Sequence, residues 1–207
     1  MRKRKDTSRL LLVVLVLMAL MTFAGCDVPG VEGSGNLVTE RREVGSFIGI
    51  EVRGGANVEL EVDPGLSQSV SVTYDDNLLD NIVTRLEGNT LIVDTEGSFR
   101  TTGGTRRFVT VTTDHIEAIT TSGGADVTGQ GVTESYRLEA SGGSDVDLLD
   151  LRASSVEIDT SGGTDVLVFA SESITGEASG GSDVSVFGSP ATFSVSSSGG
   201  ADVNLRD

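Results

Sequence analysis

Five aspartates recur at a nearly constant spacing, and they are the residues of this sequence best suited to bind a cation. Stacked one per coil, neighbouring carboxylates would lie about 5 Å apart and repel each other by about 0.9 kcal/mol in water. Ca²⁺ prefers clustered oxygen ligands and would relieve that repulsion. The alternative is that each carboxylate accepts hydrogen bonds from the amides of its own corner. We therefore predict no cofactor and leave weak Ca²⁺ binding open for this row, which consists of Asp126, Asp145, Asp165, Asp183 and Asp202.

The serines and the single histidine of the chain are candidates for nucleophilic catalysis. Such a site needs a base beside one serine. His115, next to Asp114, is the only histidine, and no nucleophile-elbow motif accompanies it. Arg106 and Arg107 could act in a polysaccharide-cleaving site, but they are expected to pair with acids. We therefore predict that the protein is not an enzyme and keep a polysaccharide-acting enzyme as an alternative.

The N-terminus has the features of an export signal followed by a cysteine. Basic residues precede the apolar run Leu10–Leu20, which is shorter than the roughly 20 residues of a membrane-spanning helix. The segment Phe23-Ala24-Gly25-Cys26 resembles a bacterial lipoprotein box, which implies cleavage before Cys26 and lipidation of its thiol. The alternative is an uncleaved signal anchor. We predict a lipoprotein signal peptide over 1–25 and a protein exported to the cell envelope, where it is lipid-anchored on the extracytoplasmic side of a membrane.

The charge balance excludes a class of partners. The chain carries a net charge of −16. Residues 1–25 contribute five basic residues and one aspartate, a charge of +4, so their removal leaves −20. Such a surface repels nucleic acid and anionic lipid. We therefore predict no nucleic-acid partner, and a membrane contact made through the N-terminal lipid only.

The aspartates belong to hexapeptides, Ser-Gly-Gly-small-Asp-Val, that define a tandem repeat. Their serines lie at positions 122, 141, 161, 179 and 198, so the spacings are 19, 20, 18 and 19 residues. Apolar and polar residues alternate on both sides of each Gly-Gly pair, which is the period-2 pattern of strands. Glu117, Gly129 and Gly176 are exceptions, because each replaces the apolar residue found in most other copies. The valine after each aspartate should point inward and the aspartate outward.

Stacking is required because one such unit cannot bury its apolar face alone. Gly-Gly suits a corner that needs positive φ or close backbone approach. We therefore predict an all-β fold, a right-handed single-stranded parallel β-helix with coils of about 19 residues.

The N-terminal half is more irregular but also β-rich. It contains a degenerate copy of the hexapeptide, Arg53–Val58, with Asn57 in place of the aspartate. One or two helical turns are predicted over Asn77–Val83. The remaining predicted segments of this half are strands: Val70–Tyr74, Thr90–Thr95 and Phe108–Thr112. We predict a flexible tether over 26–35 and a single domain over 36–207.

Taken together, these motifs resemble a known family. Gly35-Asn36, Phe47–Ile50, Gly54–Val58 and the terminal repeats are similar to the auto-transporter adhesin, head GIN domain family over residues 36–205. The resemblance implies a right-handed β-helix on an exported lipoprotein and no established enzymatic activity. We predict a non-enzymatic binding, adhesion or structural module of the cell envelope, whose partner is an unidentified envelope protein or glycan. An envelope-sensing domain paired with a membrane regulator is the alternative.

Overall fold

The structure is a computed structural model that describes residues 30–101 and 106–206. Its strands belong to a compact unit that begins at Val31. The predicted signal peptide and the lipidation site at Cys26 lie outside the described residues. Within the described ranges, no helix is both long enough and apolar enough to cross a membrane.

The fold is all-β, and the strands arise from the alternation of apolar and polar side chains seen in the sequence. The one helical element of the described residues is a 3₁₀ turn at Leu79–Asn81. The strands are β1 (Val31–Glu32), β2 (Leu37–Arg42), β3 (Gly49–Val52), β4 (Asn57–Val62), β5 (Ser69–Asp75), β6 (Ile82–Glu87), β7 (Thr90–Thr95), β8 (Phe99–Arg100), β9 (Phe108–Thr113), β10 (Ala118–Thr121), β11 (Asp126–Ala140), β12 (Asp145–Thr160), β13 (Asp165–Ala178), β14 (Asp183–Phe187), β15 (Thr192–Ser197) and β16 (Asp202–Arg206).

All strands except β1 and β8 belong to one 14-stranded, nearly closed, barrel-like sheet. In its C-terminal part each repeat pairs in parallel with the next one, β11 with β12, β12 with β13, and β13 with β14 and β15. β16 pairs with β14 at the end of the sheet. The register aligns Val127, Val146, Val166, Val184 and Val203, so equivalent repeat positions lie side by side.

The N-terminal half does not simply continue this stack in chain order. The degenerate hexapeptide opens β4, which pairs in parallel with β11, and β3 pairs in parallel with β10. On their other side, β3 and β4 are flanked by the later strands β7 and β9. The chain therefore leaves the stack after β4, forms β7 and β9 beyond it, and returns at β10. The irregularity predicted for this half has a structural cause, because long-range pairing and not chain order fills the open side of β3 and β4.

The antiparallel strands lie in the same half. β5 pairs with β2 and β9, and β6 pairs with β7. The strands predicted near Val70, Thr90 and Phe108 correspond to β5, β7 and β9. The helical turns predicted over Asn77–Val83 are reduced to the 3₁₀ turn, which has no side-chain cap at its N-terminus.

The core is made of the inward rows of the repeat. The valines that follow the five aspartates of the row are buried in four of the five copies, and Val203 of the last copy is partly buried. The small residue before the aspartate is buried in four of the five copies, as in Ser144 and Ser182, whose hydroxyls donate to the carbonyls of Ser141 and Ser179 at 3.0 Å. This hydrogen bond across the corner explains why a small, often polar residue is suited to that position.

The Gly-Gly corners stack directly on one another. Gly162 has a φ of +85°, and a Cβ there would lie 2.6 Å from the carbonyl oxygen of Gly142. Gly163 donates its amide to the same oxygen at 2.8 Å. The first glycine of the pair therefore meets both requirements anticipated from the sequence, positive φ and close backbone approach.

The segment expected to act as a tether is hydrogen-bonded to the domain from Val31 onward. β1 pairs with β8. The Gly35 amide donates to Asp75 Oδ1 at 2.6 Å, and the Ser34 hydroxyl donates to Asp76 Oδ1 at 2.6 Å. Residues 31–35 thus form part of the compact unit.

Candidate binding surface

The five aspartates of the row lie side by side on the outer surface of the sheet. Each is exposed, opens a strand and lies in register with the next. Asn57 continues the row beside Asp126. No hydrogen bond from a corner amide to these carboxylates is found among the described residues, so the corner-capping interpretation is not supported by the geometry.

The row is electrostatically unfavourable at its N-terminal end. Partial burial raises the pKa of Asp126, and the charge of Asp145 raises it further. In the parts of the chain that are described, no group of three or more Asp, Glu, His or Cys side chains is placed to hold a metal ion. Calcium binding by the row stays a prediction.

We expect Asp126→Asn to stabilise the protein at neutral pH by about 0.2–1 kcal/mol, because it removes one of two like charges on adjacent strands. The pKa of Asp126 is raised in the folded state, so its unfavourable contribution is absent below the ordinary aspartate pKa and complete once pH exceeds the folded pKa. The gain should therefore be present at pH 7 and vanish near pH 3, as measured by urea unfolding. Asp80→Asn, at an exposed aspartate outside the row, is the control. A gain that persists at pH 3 would contradict this electrostatic account.

The serine row and His115 do not form a catalytic arrangement. Ser141 and Ser179 donate their hydroxyls to the carbonyls of Thr121 and Thr160 in the preceding repeat, each at 3.3 Å. His115 Nε2 lies 3.1 Å from Glu117 Oε1, so its ring contacts a carboxylate and not a ladder serine. The two serine hydroxyls thus link neighbouring repeats.

An open groove of about 430 Å³ crosses the outer surface of β9, β4, β11 and β12. One row across it places Glu59, Thr128 and Asp147 side by side, and the next row places Glu61, Gln130 and Asp150 side by side. Arg106 also lines the groove, and its Nη1 lies 3.1 Å from Glu59 Oε1.

The groove follows from an irregularity in the repeat. β12 carries one residue more than β11 between the Thr128–Asp147 and Gln130–Asp150 pairs, so Gly129 faces Leu148 and Leu149. A Cβ at Gly129 would lie 2.5 Å from Leu148 Cδ2, so glycine leaves room for that buried leucine. Bulges of this kind often redirect side chains near functional sites. The 20-residue spacing from Ser141 to Ser161 and the exception at Gly129 are the sequence signals of this bulge.

The groove is acidic, and most of its charge is uncompensated. Four carboxylates line it, and Arg106 pairs with one of them, Glu59. Glu61 and Asp150 have no ion pair within the described ranges. An arrangement of acceptors with one guanidinium suits a ligand that brings ammonium, guanidinium or hydroxyl donors.

A second acidic surface, on β11 and β12, is different because an arginine occupies its centre. Arg137 donates to Glu139 Oε1 at 2.7 Å and to Glu157, and it lies 3.7 Å from Asp159 Oδ2. Hydrogen bonding to Glu139, with the charge of Glu157, raises the pKa of Arg137. The carboxylates of this surface are thus already paired, which leaves the groove as the better candidate for a cationic partner.

Comparison with known proteins agrees with the fold. The profile of the family described as "Putative auto-transporter adhesin, head GIN domain" matches residues 46–141 and 120–190. No match is found among curated proteins.

Solved structures also resemble this chain. A "putative adhesin" from Bacteroides fragilis has 20% identity and a TM-score of 0.53, with 86% of this chain and 100% of that chain covered. A "putative lipid binding protein" from Parabacteroides distasonis has 17% identity and a TM-score of 0.39, with 86% and 99% covered. A "putative adhesin" from Parabacteroides merdae has 12% identity and a TM-score of 0.40, with the same coverage. Because the family profile matches well over half of the residues of this chain, the chain belongs to the auto-transporter adhesin, head GIN domain family.

Proposed function

We propose that this protein is a non-enzymatic binding and adhesion module of the cell envelope, and that its partner docks in the acidic groove of β9, β4, β11 and β12. The observation that carries the proposal is the groove itself, in which Glu61 and Asp150 flank Gln130 without an ion-pairing partner of their own. Membership of a family named for adhesins supports a binding role. The partner is an envelope protein or glycan that presents ammonium, guanidinium or hydroxyl groups.

We also propose an architecture for the domain and a means by which it is anchored. Its coils wind as a right-handed parallel β-helix, which the in-register parallel pairing of β11, β12 and β13 supports. It is exported and anchored to a membrane through lipid on Cys26, which the lipoprotein-box resemblance supports. The groove would then face partners outside the cytoplasm.

The enzymatic alternative has no support in the arginines that suggested it. Arg106 is paired with Glu59 at the edge of the groove, and Arg107 is buried against Asp75. Neither guanidinium is left to act as a base in a polysaccharide-cleaving site.

The test is binding of fluorescently labelled tetralysine to the protein at 0.15 M salt, measured by anisotropy. We expect Glu61→Gln combined with Asp150→Asn to weaken binding by about 2- to 30-fold, since each exposed charge pair contributes about 0.2–1 kcal/mol. Glu172→Gln combined with Glu177→Gln removes the same charge from β13 and should leave the affinity nearly unchanged. No saturable binding by the wild type, or equal losses in the two double variants, would overturn the groove as the docking site.

A further inference from the structure

Two large apolar side chains at the outer edge of the last coil are exposed to solvent. Phe193 of β15 is 40% exposed and Leu205 of β16 is 49% exposed. Their in-register neighbours one coil earlier, Ile174 and Val186, are fully buried. These two side chains therefore occupy inward positions that no neighbouring strand of the described residues covers.

The backbone of this edge is also unpaired on its outer side. β15 pairs only with β13, and β16 only with β14, among the strands of residues 30–101 and 106–206. An edge strand that offers unpaired amides and carbonyls is a template for another strand. β16 is five residues long and begins and ends with a charged residue, so only a strand of complementary charge can pair with it.

β16 is complementary to itself when two copies run antiparallel. With Asn204 opposite Asn204, Asp202 of each copy lies opposite Arg206 of the other, and Val203 lies opposite Leu205. The outward residues thus form two opposite-charge pairs, and the inward residues form two apolar pairs. Arg206 has no ion pair in the described chain, so it is available for this contact.

The antiparallel pairing of two β16 strands also places a cation at the end of the aspartate row. Asp202 is the last member of that row and lies in register with Asp183. In the antiparallel pair its other neighbour is a guanidinium, so the like-charge row is closed by a cation. Opposite charges on directly facing strand positions stabilise a sheet, and like charges destabilise it.

We infer that a second copy of this chain docks on the outer edge of β15 and β16, with the two β16 strands antiparallel about a two-fold axis through Asn204. The contact is isologous and closes at the dimer. It buries Leu205 and Phe193 and completes the core of the last coil. The inference is independent of the proposed function, because the groove lies in other strands.

Cysteine cross-linking of the full-length chain tests the axis. In an antiparallel pair, facing Cα atoms lie about 4.5–5.5 Å apart, within the range that a disulfide spans. Asn204→Cys should therefore form a covalent dimer with itself on mild oxidation at 0.15 M salt. The wild type, which reports any linkage through Cys26, and Glu177→Cys, on an outward position of β13, should not. A dimer yield for Asn204→Cys no higher than in these two controls would overturn the inference.

Charge exchange in the Asn204→Cys background tests the register. Asp202→Arg alone and Arg206→Asp alone each place like charges opposite one another, and each should lose most of the cross-linked dimer. The double change restores both opposite-charge pairs and should recover it. Dimer yields that do not recover in the double variant would overturn this register. Circular dichroism of each variant confirms that the comparison is between folded proteins.

Discussion

Gly176→Ile will destabilise the protein by about 2–6 kcal/mol, although isoleucine and other large apolar residues occupy this repeat position in the other copies. Gly176 has a φ of +135°, which side chains of L-residues rarely tolerate. A Cβ there would lie 1.8 Å from the carbonyl oxygen of Ile158 on the neighbouring strand β12. That oxygen is backbone within a paired strand and cannot move away without breaking the register of β12 and β13.

Urea unfolding at pH 7 measures this effect. Gly176→Ala carries only the Cβ and should retain most of the loss, because the first side-chain atom causes the overlap. Gly143→Ala is the matched control, since its φ is not in the left-handed region and nothing lies within 4 Å of the added methyl group. Its effect should stay within about 1 kcal/mol. Wild-type stability of Gly176→Ala would contradict the close approach of Gly176 to the carbonyl oxygen of Ile158.

Arg107→Met is expected to cost about 3–5 kcal/mol, because it leaves the buried carboxylate of Asp75 without its guanidinium. Asp75 is fully buried and Arg107 is 6% exposed. Arg107 donates to both carboxylate oxygens, with Nη2 3.1 Å from Oδ1. The same carboxylate accepts the Gly35 amide, so the ion pair also holds the N-terminal segment on β5.

The adjacent arginine supplies the control. Arg106→Met removes an exposed pair with Glu59 and should cost at most about 1 kcal/mol. Asp75→Asn combined with Arg107→Met removes both buried charges and should recover part of the stability lost in Arg107→Met. Equal costs for the Arg106 and Arg107 variants would contradict the assignment of a buried pair.

The same pair predicts a pH dependence. Hydrogen bonding to Arg107 holds the pKa of Asp75 below its ordinary value, and burial opposes this. A lowered folded-state pKa contributes stability above the unfolded pKa, about 3.9, and that contribution is lost as pH falls through the folded pKa. The difference in unfolding free energy between wild type and Arg107→Met should therefore narrow from pH 7 to pH 3. A difference that widens on acidification would contradict this account.

Much of the C-terminal fold could be predicted from the sequence. The repeat spacing and the alternation around Gly-Gly predicted the outward row at Asp126 and the inward row at Val127, and the exposure of the aspartates and the burial of the valines confirm this. The pairing of Arg106 and Arg107 with acids was also anticipated. These features depend on the local period and composition of the sequence, and both recur in every copy of the repeat.

The groove could not be predicted in this way. Glu59 and Asp147 are far apart in sequence and share a row only because β11 lies between β4 and β12. The bulge opposite Gly129 shifts the register by one residue and sets Asp150 beside Gln130. The sequence signals of the bulge, a 20-residue spacing and a glycine exception, did not reveal which side chains it would bring together.

The sequence by itself determined the strand period, the corners and the face on which each repeated side chain lies, because alternation along a strand is a local property of the backbone. Only the tertiary structure decided which strands are neighbours in the N-terminal half, where β7 and β9 cover β3 and β4 out of chain order. It also decided the cost of a side chain at Gly176 and the burial of Asp75 with Arg107. These outcomes depend on contacts between residues that are distant in the chain. A local sequence pattern does not determine how closely two such strands approach each other.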